Sequence, residues 1–214
     1  MSPSESTEKK ILNAAREEFI ITGFKGARMQ DIANRAGVNK ALLHYYFRSK
    51  DKLYESALLD ILVVFWNTLE QEIAKHPEIT DLNSTIRIMV ETYIRVMSSN
   101  PYFPRMLIRE IADGGKLVPI LLKEITTRYG NLLFRFTKLL QSERNNDYRN
   151  PAKVSHLLLN IMGMCIITFL MQPVSQFLSD TFKVQLTIDE QFINERIKSI
   201  ISMINDGVFS KDTR

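Results

Sequence analysis

Apolar residues recur at spacings of three and four along almost the whole chain, the period of an amphipathic helix, and only residues 183–187 briefly alternate. Glycines and prolines are few and fall where the periodic stretches end. The first stretch runs from about residue 7 to 22, with Thr7 as the expected cap, Glu8 at the positive end and Gly23 as the stop. Ile11, Leu12, Ala15 and Phe19 share one face of it. Two short helices follow, over about 29–36, closed by Gly37, and over about 40–47, with Asn39 at its N-cap. Ser49 is placed to cap a long helix over 50–75, which His76 and Pro77 end.

Five more helices are expected. Asp81 or Asn83 opens one that stops before Pro101, and another spans about 101–113 before Gly114 and Gly115. A third covers about 117–143, where Pro119 is tolerable because it lies in the first turn. Residues 144–150 read as a polar loop, then a helix over 151–171 precedes Pro173. Thr187 caps the last, which reaches about 206 before Gly207. The chain therefore reads as all-α: an N-terminal three-helix domain over 1–50, then a helical bundle over 51–214. No Gly or Pro interrupts residues 50–76, so a rigid helix is expected to join the two.

At 214 residues and 45% hydrophobic composition, the chain has enough apolar side chains for a core. Its single cysteine, Cys165, excludes an intramolecular disulfide framework and fits a reducing, cytoplasmic setting. The first ten residues lack the apolar stretch of a secretory signal. The greasiest run, 157–171, contains Asn160 and is shorter than the roughly 18–20 residues of a membrane span, so a buried helix is expected there. The net charge of +4 is unevenly spread: residues 1–55 hold ten basic and seven acidic side chains, the remainder eighteen and seventeen. An anionic partner for the N-terminal region follows from that skew.

The skew surrounds the stretch VNKALLHYYFRSK, residues 38–50. On a helical wheel Leu43, Tyr46 and Phe47 share a face, which is expected to pack on Phe19, Ile32 and Ala33. The opposite face carries Ala41, Leu42, His44 and Tyr45, with Lys40 leading. Two short helices about a glycine have the spacing of a helix–turn–helix, whose second helix enters the DNA major groove. The side chains suit that role. Lys40 can donate to guanine or phosphate, Gln30 can pair with adenine, and Ala41 and Leu42 can meet thymine methyls. Arg28 lies at the same end of its helix, His44 and Tyr45 can bond phosphate oxygens, and Lys50 adds charge at a helix N-terminus. Any one of these residues is ordinary core or solvated surface; the joint pattern is what points to DNA.

Residues 11–54, ILNAAREEFIITGFKGARMQDIANRAGVNKALLHYYFRSKDKLY, closely resemble the N-terminal domain of the tetracycline-repressor (TetR) family of bacterial transcription regulators. The matching elements are ILNAA…F, Gly23-Phe24, the DIA of the second helix, Ala36-Gly37-Val38 and YYFRSK. They cover about a fifth of the chain, and the rest matches in helix layout only. The resemblance implies base contacts from Gln30, Lys40, Ala41 and Leu42, and phosphate contacts from Arg28, His44, Tyr45 and Lys50. Two departures stand out. Ala27 and Arg28 replace the Ser or Thr that often caps the second helix, and Ala41 and Leu42 replace smaller or hydroxylated residues, which leaves the operator sequence open.

Helix 151–171 is apolar nearly all round, so one face suits the bundle and another needs a partner, for which a second copy is the economical choice. Gly163 and Cys165 are small enough for close approach, and the last helix offers Ile193, Ile197, Ile200, Ile201, Ile204 and Val208. A homodimer is expected through Leu158, Met162, Cys165, Phe169, Ile197, Ile201 and Ile204, although an intramolecular core explains the same residues. Phe65, Trp66, Met89, Tyr93, Met97, Phe103, Met106, Phe134, Met162 and Phe169 are candidates to line an adaptable apolar pocket, with Arg109, Asn67, Tyr93, Asn131 and Asn160 as polar groups. Regulators of the resembled kind sense a small molecule there. The implied mechanism is a dimer that binds a palindromic operator and is released by an apolar or amphipathic effector, though some relatives are activated by ligand.

An enzyme is the rival reading. Gly114-Gly115-Lys116 lacks the earlier glycine of a phosphate-binding loop, and His44, His76, His156 and Cys165 have no metal-ligand spacing. No Ser or Cys carries a nucleophile signature. Neither catalysis nor a metal or cofactor is expected, and a membrane role is weaker than DNA binding. An effector-free DNA binder is a third class; a tightly packed, empty bundle would favour it.

Overall fold

The computed structural model describes residues 6–77, 81–100, 102–142, 151–183 and 188–205, and among them no strand occurs. The helices are α1 Thr7–Gly26, α2 Met29–Ala36, α3 Lys40–Tyr46, α4 Lys50–Lys75 and α5 Leu82–Ser98. They continue with α6 Phe103–Ala112, α7 Val118–Ser142, α8 Pro151–Leu170, α9 Ser175–Phe182 and α10 Glu190–Ile204. Packing separates two compact units, Met1–Val63 with Tyr102–Ile125, and Val64–Pro101 with Thr126–Arg214. The first unit takes in α6 and the beginnings of α4 and α7 beside the three N-terminal helices, where the sequence reading placed its domain boundary at residue 50.

In the first unit α1 packs on α2 and α6, and α2 on α3. Ile11, Ala15, Phe19, Ile32, Ala33, Leu43, Leu53, Ala57 and Leu58 are the closed core. Arg16 is buried within it because its guanidinium is paired on three sides. Its Nε donates to the Ala57 carbonyl at 3.2 Å, one Nη to Asn13 Oδ1 at 2.6 Å, and the other to Asp60. Glu18, also buried, accepts from Arg35 at 3.1 Å. Charges inside a core are tolerated when paired this way.

Several boundaries differ from the sequence reading for local reasons. Ser6, not Thr7, caps α1, accepting from the Lys9 N–H at 3.3 Å. Gly23 does not stop α1 but kinks it: at φ 74° and ψ 169° it breaks the helical path, and a short helical end follows. Asn39, Ser49 and Asp81 cap α3, α4 and α5 as expected, accepting at 2.7, 3.1 and 2.8 Å.

In the second unit α5 packs on α8 and α10, and α10 on α8. Arg95 of α5 donates to Glu190 and Asn194 of α10, each at 3.1 Å. Arg196 of α10 donates to Thr168 Oγ1 at 3.0 Å and to the Met164 carbonyl of α8 at 2.8 Å. Periodicity missed α9 and the preceding 3-10 turn, Gln172–Val174. An eight-residue helix offers barely two turns of pattern, and Pro173 sits at the start of that turn, where its fixed φ is no obstacle. Asp189 caps α10 by accepting from the Phe192 N–H at 2.7 Å. The expected cap Thr187, the loop 144–150, the alternating 184–187, and Val208 lie outside the described residues.

One helical segment, Ala152–Leu170, is long and apolar enough to cross a membrane by length and composition, with a mean hydropathy of 1.6, contrary to the expectation from the 157–171 run. Only 28% of it is buried, so it is not the enclosed core helix expected either. The face away from α5 and α10 is left open.

Candidate nucleic-acid interface

Arg28 stands at the N-cap of α2 in extended conformation and, as expected, makes no side-chain cap bond; it is exposed to solvent. Gln30 is exposed on the first turn, where its Nε2 donates to Asn34 Oδ1 at 2.9 Å. That bond holds the amide along the helix. Gly37 then turns the chain at φ 68°, with no atom within 4 Å of where a Cβ would stand. Its backbone angle, not crowding, requires glycine.

On α3, Leu43 is wholly buried, and Phe47 just beyond the helix is buried too. Lys40, Ala41, His44 and Tyr45 are exposed, Tyr45 to 79%. Two positions differ from the wheel. Tyr46, expected in the core, is 40% exposed, its ring edge-on to Tyr45 at 5.5 Å and tilted on Phe47 at 6.4 Å. It lies at the edge of the buried arc, where a phenol can keep its oxygen wet. Leu42, expected on the open face, is half-buried. Arg48, which the wheel left unassigned, is exposed just beyond α3; its place in the basic tail of the 38–50 stretch was the available signal.

Lys50 is the third correction. It is half-buried, and its Nζ donates to the carbonyls of Lys25 at 3.4 Å and Ala27 at 3.1 Å. The ammonium also lies 4.7 Å from the centre of the Phe24 ring. It is not the free surface cation that its position before an exposed helix start suggested.

The expected pocket residues are divided between the two compact units. Phe103, Met106 and Arg109 belong to the first unit, the others to the second. Phe103 and Met106 are fully buried, and the Arg109 guanidinium lies where a Cβ on Gly23 would stand. In the second unit Met97 and Phe169 are core, Met89 is half-buried, and Phe134 and Met162 are exposed. Phe65, Trp66 and Tyr93 do come together, Phe65 edge-on to Trp66 at 5.3 Å and to Tyr93 at 5.8 Å. Tyr129, unforeseen, stacks on Trp66 at 5.9 Å, and its hydroxyl donates to Asn67 Oδ1 at 2.6 Å. The backbone of α7 departs from helical angles at Tyr129 itself, which periodicity does not reveal. Burial raises the Tyr93 phenol well above its ordinary value and pushes the Cys165 thiol up to about 12, against the nearby Arg196 charge. Asn131 and Asn160 face solvent. A separate open depression of about 390 Å³ lies between α8 and α10, lined by residues that include Ile167, Met171, Phe192 and Arg196.

The expected dimer residues also divide. Cys165, Phe169, Ile197, Ile201 and Ile204 are buried in the second unit's own core, and Leu158 is half-buried, so the wheel was out of phase. The exposed apolar side chains of α8 are Leu159, at 65%, Met162, at 54%, and Ile167. Gly163 lies among them, with no atom within 4 Å of where its Cβ would stand.

Two short helices hinged on a left-handed glycine, the second baring a cation, an imidazole and phenols over a buried leucine, are the means by which a helix–turn–helix protein addresses duplex DNA. The family model described as "Bacterial regulatory proteins, tetR family" matches residues 11–57, and the chain belongs to this family of DNA-binding transcription regulators. It is 28% identical over 203 residues to the HTH-type transcriptional regulator RutR of Escherichia coli (strain K12), covering 94% of this chain and 90% of that protein. To the HTH-type transcriptional repressor NicS of Pseudomonas putida it is 31% identical over 112 residues, 52% of this chain and 51% of that one. The fold is that of the fatty acid degradation regulator FadR from Bacillus halodurans, with a TM-score of 0.64 at 17% identity, covering 97% of this chain and 98% of that one.

Proposed function

We propose that the protein is a cytoplasmic repressor that binds a palindromic operator as a homodimer and is released by a small apolar or amphipathic effector. The observation that carries this reading is the exposed flank of α3: Lys40, His44 and a Tyr45 ring that is 79% exposed suit phosphate oxygens and base edges. Gln30, Lys40, Ala41 and Leu42 are assigned to bases, and Arg28, His44 and Tyr45 to phosphates. Leu42 is half-buried.

The open apolar face of α8, with Leu159, Met162, Gly163 and Ile167, supports self-association; an isologous contact about a two-fold axis covers it twice. Two α3 helices ~34–36 Å apart would meet successive major grooves. The ring cluster of Phe65, Trp66, Tyr93 and Tyr129 supports an effector site in the second unit. Residues of the uninterrupted α4 belong to both units, so its path through the chain offers a route for the signal. A differential affinity of ~1–3 kcal/mol between the two states would change DNA binding ~5–150-fold. The word repressor in the name of NicS agrees with this direction.

The test is binding of purified protein to the DNA upstream of its own gene, against a scrambled duplex, at several salt concentrations. A preference of ~10³ or more supports a specific regulator; equal, steeply salt-dependent binding to both sinks specificity for that DNA. Tyr45→Ala should weaken binding to every sequence alike, whereas Gln30→Ala should relax preference at one position per half-site by ~1–3 kcal/mol.

A further inference from the structure

The entrance to α2 has an unusual support. Arg28, its N-cap residue, supplies no capping oxygen, so no side-chain cap fixes the angle at which the helix starts. The preceding turn is also irregular: α1 is kinked at Gly23, and the carbonyls of Lys25 and Ala27 fall at its end, where intrahelical partners run out. Both carbonyls accept from the Lys50 ammonium. Beneath the ammonium lies the Phe24 ring, itself packed on Phe19 at 6.2 Å and on Tyr54 of α4 at 5.1 Å. Lys50 therefore joins the first residue of α4 to the peptide that leads directly into Arg28.

We propose that Lys50 is a positioning residue of the DNA-reading surface: clamped on the 25–27 turn, it sets the angle at which α2 presents Arg28 and Gln30. This rests on the DNA-binding reading above and reassigns Lys50 from a phosphate contact. With its donors directed at two carbonyls and its charge over a ring, the ammonium is committed to the protein. Removing it leaves two carbonyls without that donor at a turn that no side-chain cap stabilises. The expected consequence is lost discrimination rather than lost electrostatic attraction.

The experiment uses the full chain and two duplexes: one enriched by the wild-type protein from a random-sequence pool, and a scrambled version. Affinities are measured over a series of potassium chloride concentrations for wild type, Lys50→Met and Phe24→Leu. The second variant keeps the charge and removes only the ring, and thermal midpoints confirm that both fold. Lys50→Met should bind the enriched duplex about tenfold or more weakly and the scrambled one within about twofold of wild type, with the salt slope unchanged. Phe24→Leu should show a smaller loss of the same kind. Amide exchange should quicken in peptides spanning 24–30 and stay constant over 11–19. A uniform loss on both duplexes with a slope lower by about one identifies a phosphate contact and overturns the proposal, as does unchanged discrimination. If wild type enriches no sequence, the operator reading fails, and unchanged exchange over 24–30 would separately refute the clamp.

Discussion

Leu43 of α3 and Leu159 of α8 are leucines on helices with apolar faces, and their fates are opposite. Leu43 is wholly buried in a small unit whose buried Arg16 and Glu18 are ion-paired, while Leu159 is 65% exposed on a helix that its own unit covers on one side only. The first unit closes its core around Leu43 and bares a polar flank on α3, although Ile21, Ile111, Ile120 and Leu122 also lie exposed on it. The second leaves one side of α8 uncovered, with Met162 and Ile167 exposed beside Leu159. Large exposed apolar side chains grouped on one face mark a surface made for a partner. The bare polar flank of α3 and the open apolar side of α8 thus point to two different kinds of partner.

The largest effect is expected where the core is closed. Leu43→Ala should cost about 2–5 kcal/mol in urea denaturation followed by circular dichroism, and a cost below ~1 kcal/mol would mean that the first unit is looser than its burial indicates. Next is the open face. Leu159→Asp should leave the unfolding of the isolated chain within ~0.5 kcal/mol while weakening self-association by ~2 kcal/mol or more, about thirtyfold in the dissociation constant by sedimentation. An unchanged dissociation constant breaks the comparison, since the face would then need no second copy.

Two glycines sharpen it. Gly23→Ala places a Cβ at φ 74° and against the Arg109 guanidinium, and should destabilise by ~1–3 kcal/mol in the same denaturation assay. Gly163→Ala, in open helix surface, should stabilise the monomer by up to ~1 kcal/mol but weaken the dimer if backbones approach there. The smallest effect is a pH dependence. The Ser84 N–H donated to Asp81 holds that carboxyl below its ordinary value, so its contribution is present above the unfolded-state value near 3.8 and is lost as pH falls through the lower folded one. Asp81→Ala should cost ~1 kcal/mol at neutral pH, whereas Asp81→Asn should keep most of the cap and remove that part of the acid dependence, both read from thermal midpoints against pH.

How much was legible differs along the same line. The ends of α2, the αL glycine at 37 and the caps Asn39 and Ser49 were readable because each depends on a few adjacent residues. So were Lys40, Ala41, His44 and Tyr45 on the outward flank of α3, opposite the buried Leu43 and Phe47, whereas Leu42 and Tyr46 at the edges of that arc were misplaced. The phase of α8 was not readable. With apolar residues all round, a wheel has no polar arc to orient it, and Cys165 and Phe169 were assigned outward when they are core. Lys50 was misread for the same kind of reason: a lysine beside a helix start looks free until the carbonyls of Lys25 and Ala27 are brought beneath it.

Sequence by itself determined that this chain is all-helical, that its basic N-terminal region forms a helix–turn–helix, and to which regulator family it belongs. Those properties are local: caps, periods and a glycine hinge act over a handful of residues. Only tertiary structure decided which apolar face each long helix buries, that Tyr129 joins Trp66, and that Lys50 is spent inside the protein. Those outcomes depend on contacts between residues far apart along the chain, 23 positions for Lys50 and Ala27 and 62 for Tyr129 and Asn67, where no local pattern records the partner.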